Sequence, residues 1–75
     1  MGNYYIVNEI QVNNGTASVI AWTFDDQTSA LSKYYAVLSS AVQSTIDMHG
    51  ANLFSTENGG KLLRSEMIDR RRYDD

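Results

Sequence analysis

A chain of 75 residues, 43% of them apolar and none of them cysteine, can build one hydrophobic core but not two. The missing cysteines exclude disulfides, thiolate catalysis and thiolate metal sites together. A net charge of −3 has the wrong sign for a counterion-releasing nucleic-acid binder and is too mild to mark an acidic mimic of nucleic acid.

Residues 4–12, Tyr-Tyr-Ile-Val-Asn-Glu-Ile-Gln-Val, are rich in β-branched and aromatic types and stop at Asn13-Asn14-Gly15, a strong hairpin signal. A second strand runs from about Thr16 to Phe24 and stops at Asp25-Asp26. The period then becomes helical from Gln27 to about Ile46, with Ala30, Leu31, Tyr34, Val37, Leu38, Ala41, Val42 and Thr45 recurring at steps of three and four. Asp25 or Asp26 is suited to cap the first turn, and His49-Gly50 offers a left-handed helix end. Residues 51–56 and 61–68 read as a second hairpin around Glu57-Asn58-Gly59-Gly60, where two glycines permit a bulge. The expected fold is α+β: a two-layer ββαββ arrangement with a four-stranded antiparallel sheet and one helix packed on a face. Residues 1–68 form its single domain, and 69–75 form a charged, frayed tail.

A two-residue turn at Asn14-Gly15 sorts the first hairpin into two faces, both apolar. One collects Ile6, Asn8, Ile10, Val12, Ala17, Val19, Ala21 and Thr23; the other collects Tyr5, Val7, Glu9, Ile20, Trp22 and Phe24. The small aliphatic face accommodates a close-packed helix more readily, which leaves Tyr5, Val7, Ile20, Trp22 and Phe24 as an exposed cluster. The inverse assignment puts the aromatics under the helix and exposes Ile6, Ile10, Val12 and Val19 instead. Either way one apolar face is left for a partner, and a core this small supplies only about 3–5 kcal/mol, which favours oligomerisation. The helix carries no charge but Lys33 from Gln27 through Ile46, and its outer positions include Tyr35, an amphipathic anchor. The expected protein-interaction residues are therefore Tyr5, Val7, Ile20, Trp22, Phe24 and Tyr35, and the expected partner is the chain itself, as a homodimer or higher, or another protein.

Catalytic signatures are wanting. The single histidine, His49, has no cysteine or carboxylate cluster beside it in sequence and reads as a helix-end or turn residue. The helix serines sit without a nucleophile elbow, and Gly59-Gly60-Lys61 lacks phosphate-loop spacing. No enzyme activity, cofactor, metal or small-molecule substrate is inferred. Nucleic acid is the alternative partner, through Arg64, Arg70, Arg71 and Arg72 with the sheet aromatics as stacking surfaces, although Glu66, Asp69, Asp74 and Asp75 interleave with those bases.

The run Tyr4-Tyr5-Ile6-Val7-Asn8-Glu9-Ile10-Gln11-Val12, with Phe24-Asp25-Asp26 and Ala30-Leu31-Ser32-Lys33-Tyr34-Tyr35, resembles small uncharacterised proteins encoded by phages and prophages of gut Firmicutes. The resemblance implies a strand–strand–helix opening and no particular functional residue. It suggests an accessory or structural phage protein, or an inhibitor that binds a host defence protein. No apolar run approaches the roughly 20 residues that cross a bilayer, and Met1-Gly2-Asn3 opens no signal peptide. A cytoplasmic or virion-associated protein is expected.

Overall fold

The computed structural model of the protein describes residues 4–71. Strands β1 (Tyr5–Asn13) and β2 (Thr16–Phe24) precede helix α1 (Gln27–Gln43); β3 (Met48–Ser55) and β4 (Lys61–Asp69) follow it, joined through a 3-10 turn at Glu57–Gly59. The order is ββαββ, and the four strands form one antiparallel sheet in the spatial order β2-β1-β3-β4, with the helix as the second layer.

Local chemistry accounts for the first hairpin. Asn14 and Gly15 both take positive φ, 53° and 79°, the pairing that a tight two-residue turn between twisted strands demands. Tyr5 then faces Phe24, Val7 faces Trp22 and Ile10 faces Val19, the register anticipated from the turn. At the helix start, the Asp26 carboxylate accepts from the Ser29 backbone N–H at 2.8 Å. That bond, reinforced by the Ser29 side chain, holds the Asp26 pKa below its ordinary value.

The helix ends at Gln43, earlier than its apolar period suggests, and Ser44 is extended. Thr45 and Ile46 are β-branched and favour leaving the helix, and the Arg70 guanidinium donates to the Val42 carbonyl and, at 3.5 Å, to that of Ala41, which also accepts from the Ser44 N–H. His49 and Gly50 are therefore not a helix cap but part of β3. Gly50 is needed for space rather than for a left-handed backbone. A Cβ there would meet the Glu66 carbonyl, with Met67 Cα at 2.8 Å and its sulfur at 2.9 Å.

The second hairpin carries the bulge that its glycines permit, although the irregularity falls in the strand. Leu53 faces Arg64 while Phe54 faces Leu62, so Leu63 is the extra residue. The turn uses positive φ at Asn58, Gly59 and Gly60. Strand β4 runs through Asp69, and the Arg70 N–H donates to the Asp47 carbonyl at 2.7 Å, so the fold continues past the residue-68 boundary expected for the domain. Asp47 also accepts from the Asn14 N–H at 3.0 Å, which ties the first turn to the loop after the helix.

Candidate protein interface

The helix lies on the aromatic face. Of its buried stripe of Ala30, Tyr34, Val37 and Ala41, the first three join Val7, Ala51 and Leu53 in one core, and Tyr5, Trp22, Phe24, Leu31, Leu38 and Leu63 pack around it. The assignment of the helix to the aliphatic face is therefore corrected. Within the first hairpin the aliphatic face has the smaller side chains, but the helix contacts β3 as well as β1, and there Ala51 opposes Glu9 and Leu53 opposes Val7. Alanines on the helix and Ala51 below it permit close approach, while the large rings fill space beside the contact.

The six residues expected to form the interaction surface consequently divide. Val7 is fully buried, and Tyr5, Trp22 and Phe24 are half-buried core neighbours. The Lys33 ammonium covers the Trp22 ring at 4.0 Å from its centroid, in cation–π geometry. Ile20 and Tyr35 remain open to solvent, at 47% and 52% exposure. Tyr35 is braced edge-on by Tyr34, with ring centroids 5.3 Å apart. Burial raises the pKa of the Tyr34 phenol, with Glu66 and Tyr35 adding to the shift.

The opposite face has no second layer among the described residues. Registers place Ile6, Asn8, Ile10 and Val12 of β1 beside Thr23, Ala21, Val19 and Ala17 of β2, and beside Phe54, Asn52, Gly50 and Met48 of β3. Strand β4 adds Leu62, Ser65, Met67 and Asp69. Val19, Leu62 and Met67 are exposed, Val19 at 61%. With strands about 30 Å long and about 4.8 Å apart, the face covers about 500 Å² in plan, within the ~300–600 Å² of the largest patch on a typical monomer. Its middle is polar: Ala21, Asn8, Asn52 and Ser65 form one cross-strand row, and the Ser65 hydroxyl donates to Asn52 Oδ1 at 2.7 Å.

The alternative nucleic-acid residues are not arranged as a free basic stripe. Arg70 is committed to the helix end, and Arg71 forms a two-pronged contact with Asp69 at 2.9 and 3.0 Å. Arg64 faces Leu53 on the helix side, and Arg72 lies outside the described residues. The aromatics proposed for base stacking lie under or beside the helix.

One polar cluster was illegible in the sequence. His49, 40 positions from Glu9, is buried within the sheet and places Nε2 2.6 Å from Glu9 Oε2; Gln11 Nε2 donates to the same oxygen at 3.2 Å. The other ring nitrogen, His49 Nδ1, is buried and has no hydrogen-bond partner among the described residues. The pairing arises because β1 and β3 are neighbours, which spacing along the chain did not reveal. Among the described residues no group of three or more His, Cys, Asp or Glu could hold a metal ion, and no helix is long and apolar enough to cross a membrane. Comparison with known proteins finds no matching family model, no similar curated protein and no similar solved structure.

Proposed function

We propose that the protein is a non-catalytic interaction module that self-associates through the sheet face its single helix leaves bare. The observation that carries this reading is the exposure of Val19, Leu62 and Met67 on one continuous surface with Ile6, Ile10 and Phe54. Two copies stacked on that face would bury on the order of 1,000 Å², the lower bound of a specific interface.

The chemistry of the face suits a second copy. Apart from Asp69 at one corner, its described positions carry no formal charge, so identical surfaces can meet without opposing like charges, although the whole chain is at −3. The carboxamides of Asn8 and Asn52 lie near the middle of the central strands, and each can both donate and accept. They are polar groups that can satisfy copies of themselves. The resemblance to phage proteins supplies a setting in which such a module would serve as an accessory or structural component.

Sedimentation equilibrium of the wild type and Leu62→Glu tests the reading. The wild type should associate as concentration rises, and the variant should weaken that association at least tenfold, about 1.4 kcal/mol, with an unchanged circular dichroism spectrum. Wild-type protein that stays monomeric throughout would remove the proposal.

A further inference from the structure

The two edges of the sheet differ in a way that the bare face does not explain. Strand β4 carries Lys61, Arg64, Glu66 and Asp69 and is broken by the bulge at Leu63, devices that discourage a further strand from pairing. Strand β2, Thr-Ala-Ser-Val-Ile-Ala-Trp-Thr-Phe, has nine residues with no charge, no proline and a regular register against β1 throughout. The nearby charge of Lys33 sits over the Trp22 ring, 4.0 Å from its centroid. In a two-residue hairpin the pair flanking the turn, Asn13 and Thr16, exchanges backbone bonds and the pattern then alternates. Ala17, Val19, Ala21 and Thr23 thus turn their N–H and C=O groups outward.

We infer that β2 pairs antiparallel with β2 of a second copy across a two-fold axis at Ile20, joining two four-stranded sheets into one continuous sheet. The inference rests on the reading that the chain self-associates, but not on the bare face as the contact. Ile20 is the middle residue of β2, so pairing about it uses the whole strand. Val19 then exchanges backbone bonds with the partner's Ala21, and Ala17 with the partner's Thr23. These pairs and their symmetry mates give roughly eight new backbone bonds, at two per bonded pair.

Side chains agree with this register. Trp22 lies opposite the partner's Ser18, and Phe24 opposite the partner's Thr16, a large residue against a small one each time. The exposed Ile20 meets the partner's Ile20 on the helix side of the sheet. Beyond the strand ends, Asp25 and Asp26 lie opposite the partner's Gly15 and Asn14, so the acidic pair does not face itself.

A single cysteine tests the axis, because the chain has none of its own. Ile20→Cys would bring two thiols together across a non-bonded pair, whose Cα atoms lie about 4.5 Å apart, within the ~4.4–6.8 Å range of a disulfide. Ser18→Cys, exposed on the same side of the same strand, would face the partner's Trp22. Under diamide oxidation, Ile20→Cys should form a covalent dimer at least about tenfold faster than Ser18→Cys. Equal rates, or no dimer from Ile20→Cys, would overturn the pairing.

Ala21→Pro provides a second readout, since it removes an outward N–H that β1 does not use and an edge strand tolerates it. It should keep the wild-type circular dichroism and abolish the association that persists in Leu62→Glu; unchanged association with the fold intact overturns the inference. If Leu62→Glu associates as the wild type does while Ile20→Cys cross-links, the bare-face reading fails and the edge pairing stands.

Discussion

The two faces of this sheet have similar apolar content in the first hairpin and opposite fates in the fold. The covered face has Val7, Ala51 and Leu53 in its core, with Glu9 opposite Ala51 and bonded to His49. The bare face has Asn8 and Asn52 at its centre, with Ser65 beside them. A helix laid across the bare face would have to bury two carboxamides against apolar side chains, and each unsatisfied one would cost about 1–3 kcal/mol. Large rings on the covered face are no obstacle, because they pack beside the helix contact. The polar groups on the covered side, Glu9 and His49, are bonded to each other, so bulk alone does not decide which face the helix covers.

The strongest way to break this comparison is Leu53→Ala, which empties the centre of the covered face. It should cost about 2–5 kcal/mol in urea unfolding. A loss below about 1 kcal/mol would place the core elsewhere. Trp22→Ala comes next, at about 2 kcal/mol, less than a fully buried tryptophan because the ring is half-buried and partly covered by Lys33. Its stability loss should persist at protein concentrations too low for association, which separates packing from adhesion.

Gly50→Ala probes the bare side, where the new methyl would strike the backbone of β4. The expected loss is about 1–3 kcal/mol, read by thermal or chemical unfolding; a neutral outcome would mean that β3 and β4 can separate there. Leu62→Glu, on the same face, should change monomer stability by no more than about 0.5 kcal/mol while reducing association. That contrast between Leu53 and Leu62 is the sharpest statement of the two-face difference.

The smallest effect concerns the helix start, which sets where the helix enters the covered face. The Asp26 pKa is lowered in the folded state, so its carboxylate stabilises the fold above the ordinary aspartate value of about 3.9. The contribution disappears as pH falls below that value through the depressed one. Asp26→Ala should therefore melt earlier than the wild type near about pH 6, and the gap should close near about pH 2. A gap that is equal at both pH values would remove the carboxylate from the capping role.

The legible parts of the fold were those governed by neighbours in sequence. Asn14-Gly15 set the first hairpin and its register, Asp26 marked the helix start, and the recurrence of Ala30, Tyr34, Val37 and Ala41 marked the buried stripe. The helix end was less legible, because Arg70, far along the chain, supplies groups that close its last turn. Of the interaction residues read from the first hairpin, Ile20 lies on the helix side and is exposed, while Val7 and Trp22 on the same side pack in or against the core. Asn8 was visible as a polar residue on the aliphatic face, but one asparagine can be carried at an edge.

Sequence by itself determined the order of elements, the first register and the existence of two apolar sheet faces, since each follows from residues within a few positions of one another. Tertiary structure decided which face the helix covers, which edge is left unguarded and that His49 meets Glu9. All three depend on β3 settling between β1 and β4, which brings Asn52 to Asn8 and Ala51 to Glu9 from more than 40 residues away. Pairings at that distance are selected by the free energy of the assembled sheet and helix, and no local pattern encodes them.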